Sequence, residues 1–98
     1  MAFTFSAPLW LYSGENAWHF VTLPEDLSDD IEESASTAKR GFGSVRVAVS
    51  VGETTWETSL FPDSKAASYV LPIKKSVRDR AGLSIGEDHA FDITLLDG

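Results

Sequence analysis

The side chains best suited to chemistry are cations at the start of a predicted helix. Lys74, Lys75 and Arg78 fall within one helical turn, and Tyr69 precedes them on the incoming strand. Amides at a helix N-terminus and cationic side chains together attract a carboxylate or a phosphate. We therefore predict an anion-binding site here, and we expect arginines from elsewhere in the chain to complete it. Its predicted residues are Arg40, Arg46, Tyr69, Lys74, Lys75 and Arg78.

The same cations also have a plainer interpretation. Lys75 and Asp79 are spaced i,i+4, which is the spacing of a surface ion pair on a helix. In that case Lys74 and Arg78 would be solvated charges without a ligand. The sequence leaves both interpretations open.

The aromatic residues indicate a second candidate surface. Trp10 and Tyr12 share the polar face of a strand, opposite its phenylalanines and leucines, and we predict that this pair is exposed for a partner. Trp18 and Trp56 are predicted to be core anchors, because a small barrel fills its interior with large side chains. Stacking of Trp18 or Trp56 on a ligand is the alternative.

No catalytic motif occurs in the sequence. His19 and His89 lie on different predicted strands, and the chain has no cysteine, so a zinc site would need both histidines and a carboxylate such as Asp88. No serine lies in a nucleophile elbow. We predict no catalytic residue, no metal and no cofactor, and an enzyme whose groups converge only in three dimensions remains an alternative.

Composition and charge restrict the class of protein. The chain has 98 residues and a net charge of -7, and no apolar run is long enough for a membrane span. Lacking a signal-peptide pattern, it is predicted to be cytoplasmic and without membrane contact. Residues 24–33 hold six carboxylates and no base, whereas the eight basic residues all lie within 39–80. The overall negative charge disfavours nucleic acid as a partner.

Alternating hydrophobicity places the strands and helices. Residues 3–11 alternate with a period of two and predict a strand that Pro8 bends or confines to an edge. A second strand follows over 17–23, and the capping-box spacing of Thr22 and Glu25 predicts a helix there. The apolar positions of that helix are Leu27, Ile31 and Ala35.

The second half of the chain is predicted in the same way. Four alternating valines at 45–51 precede a Gly52-Glu53 hairpin turn and a strand over 54–61. A short strand over 67–73 leads into a helix over 74–81 that Gly82 ends, and Phe91, Ile93 and Leu95 form the core face of a last strand. We predict one mainly β domain over 1–98, a small closed or partly open barrel of about six strands with two short helices. An open α+β sheet is the alternative.

Four segments of the chain carry a resemblance to a known family. They are residues 18–24 (WHFVTLP), 40–47 (RGFGSVRV), 55–62 (TWETSLFP) and 69–78 (YVLPIKKSVR). Together they resemble the small bacterial proteins grouped as domain of unknown function 1905. The resemblance implies a small β-barrel, alone or joined to other domains, with no established activity.

Residues 71–78 and 83–88 also look like the strand-helix-turn-strand unit of swapped-hairpin transcription regulators, with Glu87 where those proteins place aspartate. The leading hypothesis is a non-enzymatic barrel that binds a small anionic ligand or a protein partner. An enzyme and a DNA-binding regulator are the alternatives, and the sequence does not fix the oligomeric state.

Overall fold

The chain forms a six-stranded closed antiparallel barrel with two helices, as predicted. The computed structural model describes residues 2–12, 18–34, 43–63 and 67–96. In chain order the elements are β1 (Ala2–Leu11), β2 (His19–Thr22), α1 (Glu25–Ser34), β3 (Val45–Val51), β4 (Thr54–Asp63), β5 (Ser68–Pro72), α2 (Lys75–Ala81) and β6 (Asp88–Leu95).

Two long strands change neighbours part of the way along. β1 pairs with β6 over its first part, up to Pro8, and with β2 from Leu9 onward. β4 likewise pairs with β3 up to Leu60 and with β5 from Phe61 onward. Because Pro8 cannot donate a hydrogen bond, it is tolerated at the point where β1 changes partner. Around the barrel the strands follow the order β1-β2-β5-β4-β3-β6.

The barrel interior holds the predicted alternating faces. Val45, Val47 and Val49 of β3 are buried, and the Gly52 turn has the positive φ (58°) that the hairpin prediction requires. Phe91 and Ile93 of β6 are buried as well, and Phe91 stacks on Phe5 of β1 with ring centroids 5.4 Å apart. The core is therefore filled largely by the period-two faces of β1, β3 and β6, whereas β5 is buried along most of its length.

The first helix begins close to the predicted position, but Thr22 does not cap it. Thr22 is the last residue of β2 and not the cap of α1, because the helix begins only at Glu25; the Thr22 hydroxyl instead accepts a hydrogen bond from the Trp10 indole over 2.8 Å. The first helical bond runs from Ser28 N–H to the Pro24 carbonyl. Ile31 is fully buried and Leu27 half-buried, whereas the predicted contact of Ala35 lies outside the described residues.

The second helix ends as predicted. Gly82 adopts the left-handed conformation (φ 68°, ψ 37°), and its N–H bonds to the Arg78 carbonyl. Ile73 and Val77 are buried beneath the helix. This short helix lies against β4.

The prediction for one tryptophan was wrong. Trp56 packs against the core as expected, half-buried, but the Trp18 side chain is 51% exposed. Trp18, directly before β2, lies on the same side of the chain as Phe20, because the two are separated by one residue, and buried Val21 points to the opposite, inward side. Its ring therefore lies on the outside of the barrel.

Candidate functional site

An apolar groove lies on the outer surface of the barrel, where a strand would ordinarily present polar side chains. It encloses about 340 Å³, and its walls come from neighbouring strands or from residues next to them. We call it the aromatic groove; its lining residues are Tyr12, Trp18, Phe20, Phe61, Val70 and Pro72. Strand register explains the clustering, because Phe20 pairs with Pro72 and Val70 pairs with Phe61.

Phe20 is the central ring of the aromatic groove, in contact with two other aromatic rings that line it. Trp18 stacks on Phe20 with centroids 6.1 Å apart and planes 9° from parallel, and Tyr12 meets the same ring edge-on at 6.3 Å. Tyr12 is 52% and Phe61 47% exposed, so both offer ring surface to solvent. Such pre-packed rings lose little side-chain freedom when a ligand binds.

The predicted Trp10-Tyr12 surface is only partly present. Tyr12 is exposed and lines the aromatic groove. Trp10 is half-buried, because its ring packs on Phe20 at 5.3 Å and its indole N–H is held by Thr22. Trp10 therefore supports the groove from the side and does not line it.

A second groove continues from the first and carries positive charge. It encloses about 420 Å³ between β4 and the start of α2. We call it the basic groove; its lining residues are Trp18, His19, Thr58, Phe61, Pro72, Ile73, Lys74, Lys75 and Arg78. Trp18, Phe61 and Pro72 line both grooves, so apolar and cationic surfaces are continuous.

The three cations of the basic groove differ in how they are held. Lys75 donates to Oδ2 of Asp79 over 2.8 Å, and this hydrogen bond and its charge hold the pKa of Asp79 below its ordinary value. Arg78 donates from Nη1 to the Ile73 carbonyl over 2.8 Å. Lys74 is exposed, and no ion pair joins it to any residue in the described ranges.

The remaining predicted anion-site residues lie elsewhere. Arg46 is on the outside of β3, with Nη2 3.6 Å from a carboxylate oxygen of Glu57. Tyr69 is buried next to α1, where its amide donates to the Ser28 hydroxyl, and it lines neither of the two grooves. Arg40 lies outside the described residues. The fold thus groups Lys74, Lys75 and Arg78 but does not add Tyr69 or Arg46 to them.

Sequence reasoning missed four residues of the aromatic groove: Phe20, Phe61, Val70 and Pro72. A signal for them was present in β2, whose two faces are both apolar. That pattern was consistent with burial on both sides. Only the pairing of β2 with β5, and of β5 with β4, shows that the second face is a shared surface.

Few polar side chains are buried in the described ranges. The buried polar side chains there, apart from the Tyr69 phenol, are the hydroxyls of Ser28, Thr54 and Ser68, with no histidine or carboxylate among them. No three potential metal ligands among the described residues come together. Neither described helix is long and apolar enough to cross a membrane.

The fold and the two grooves define a class: a small closed barrel with an open, apolar and cationic outer surface. Within that class, the sequence matches the model of one family over residues 5–93, and the chain belongs to that family, the domain of unknown function DUF1905. The family resemblance noted in the sequence is thereby confirmed. No curated protein matches the chain.

Proposed function

We propose that this protein is a non-enzymatic binding module whose ligand, a small anionic molecule or a protein partner, carries an apolar group beside a negative charge. The observation that supports this most directly is the continuity of the two grooves through Trp18, Phe61 and Pro72. An apolar group would lie on the rings of the first groove, and its charge would face Lys74 in the second. Burial of aromatic surface supplies affinity, and the cations supply orientation.

The alternatives fit the molecule less well. An enzyme of this kind would need a titratable group beside a deep pocket, and the buried hydroxyls of the described residues are poor candidates. A swapped-hairpin regulator would need a second chain, whereas Leu9 here meets Ile85 of its own chain, and Gly86 N–H donates to the Leu9 carbonyl. This contact favours a barrel-closing role for the regulator-like segment.

The probe for this proposal is 1-anilinonaphthalene-8-sulfonate, which joins a flat ring system to one negative charge. We expect its fluorescence to rise with the folded protein at neutral pH. Trp18→Ala should weaken this binding about tenfold, a loss of about 1.4 kcal/mol. Lys74→Glu should weaken it too, because the change reverses the charge beside the sulfonate.

Matched controls lie elsewhere on the surface. Ile85→Ala removes a side chain that is 55% exposed and lines neither groove, and Arg80→Glu makes the same charge change outside the basic groove. Both variants should bind the dye as the unmodified protein does. Equal loss in Ile85→Ala and Trp18→Ala, or no loss in Trp18→Ala, would contradict the proposed site.

A further inference from the structure

Resting on the proposed function, we infer that the natural occupant of the two grooves is a short, extended, acidic peptide segment carrying an aromatic or aliphatic side chain. The segment would belong to a protein partner. Its apolar side chain would dock in the aromatic groove and its carboxylates along the basic groove. Three features of the molecule favour a peptide over a small molecule.

The first feature is the openness of the aromatic groove. Its walls at Tyr12, Trp18 and Phe61 are each about half exposed to solvent. Sites for small ligands are concave and bury roughly 70–90% of the ligand surface. A single-ring ligand here would stay largely in water, whereas a peptide gains from covering the whole surface.

The second feature is the length of the surface. The aromatic groove crosses from the end of β1 over β2 and β5 to β4, which are consecutive neighbours in the barrel. Three strand spacings give about 14 Å, and an extended chain at about 3.3 Å per residue covers that with about four or five residues. The basic groove lengthens the path further.

The third feature is the distribution of positive charge. Lys75 is bonded to Asp79 and Arg78 to the Ile73 carbonyl, so each of these cations already has its own acceptor in the protein, whereas Lys74 has no ion pair among the described residues. A phosphate is bound best by donors that converge on its oxygens. Separate carboxylates along a peptide match separate cations better.

Displacement of 1-anilinonaphthalene-8-sulfonate tests the inference. The competing probe is a capped hexapeptide, acetyl-Glu-Phe-Asp-Glu-Phe-Asp-amide, compared with phenylacetate, inorganic phosphate and the same peptide with glutamine and asparagine in place of the acids. We expect the acidic peptide to displace the dye at a concentration at least tenfold below that of the other three. Its binding should weaken as salt is raised, because the cations are exposed.

Variants connect the displacement to the grooves. Direct titration of the peptide by calorimetry should show at least a tenfold loss in Trp18→Ala and in Lys74→Glu, with Ile85→Ala and Arg80→Glu unchanged. If the dye binds as proposed but phenylacetate competes as well as the peptide, or the peptide does not compete, the peptide inference is wrong and the proposed function stands. If the dye does not bind at Trp18, both are wrong.

Discussion

At the residue scale, a directional chain of hydrogen bonds fixes α1 to the barrel. Ser68 Oγ donates to the Leu23 carbonyl, so the 2.7 Å contact between the two serine hydroxyls requires Ser28 Oγ to donate to Ser68 Oγ. Ser28 Oγ in turn accepts the Tyr69 amide over 3.1 Å. Every buried donor in this relay has an acceptor, which is what a buried polar group needs.

Removal of one hydroxyl should break this relay. We expect Ser68→Ala to lower the free energy of unfolding by about 1–3 kcal/mol, because it removes the acceptor of Ser28 and the donor to Leu23. Ser28→Ala should cost a similar amount, and the double variant less than the sum of the two. Urea denaturation measures all three.

The matched control for the serine relay is Ser6→Ala. Ser6 is an exposed serine on the outside of β1. Its replacement should change stability by less than about 0.5 kcal/mol. A Ser68→Ala protein as stable as Ser6→Ala would show that the relay contributes nothing to stability.

At the scale of elements, α2 has a structural role, and the proposed function adds a binding role to it. Arg78 ties the helix to the Ile73 carbonyl, and Gly82 ends it in the left-handed conformation. Lys75 is tied to Asp79 within the helix. Lys74, directly before the helix, is exposed and has no ion pair among the described residues, so the proposed binding is tested at Lys74 and not at Arg78.

The Lys75–Asp79 pair should give α2 a small dependence on pH. Since the folded-state pKa of Asp79 is lowered, its stabilising contribution is present above the ordinary carboxyl pKa and is lost as pH falls through the lowered value. We expect Asp79→Asn to melt slightly below the unmodified protein at neutral pH. The two melting curves should converge in acid. A difference that stays constant with pH would show that the ion pair does not cause it.

At the scale of the whole molecule, one chain closes its own barrel around a single core. β1 and β4 each pair with one strand over their first part and with another over their second part, and β6 closes the barrel by pairing with both β1 and β3. The acidic α1 and the cations at α2 lie on different elements, so local charge does not follow the net charge. That the protein does not bind duplex DNA, and that it is cytoplasmic, stay predictions.

A charge placed in the shared core should unfold the molecule. Val47 is fully buried, and Val47→Asp would bury an unpaired carboxylate at a cost of several kcal/mol, comparable to the whole stability of a small domain. Circular dichroism should show loss of the cooperative melt. Ala48→Lys, which adds a charge on the opposite side of the same strand, should remain folded, and a cooperatively folded Val47→Asp protein would refute the assignment of faces.

The sequence by itself determined the strands, the inward faces of β1, β3 and β6, and the approximate positions of both helices. These features depend on local periodicity. The alternating valines around Val47 and the helix-ending Gly82 are both recognised from neighbouring residues in the sequence. The grouping of Lys74, Lys75 and Arg78 could be predicted for the same reason, because one helical turn places them together.

Only the tertiary structure decided which surfaces are assembled from several strands. Phe20 lies on β2, which α1 and β3 separate along the chain from the strands of Phe61 and Pro72, and their adjacency follows from the order β2-β5-β4. The same order turned Trp18 from a predicted core residue into part of a groove. Tyr69 was predicted to be part of the anion site but lies away from Lys74. Leu23 N–H donates to the Tyr69 carbonyl and holds Tyr69 near α1, whereas Lys74 follows the opposite end of β5. Contacts between distant segments are fixed by strand pairing, and local sequence periodicity does not show which strands pair.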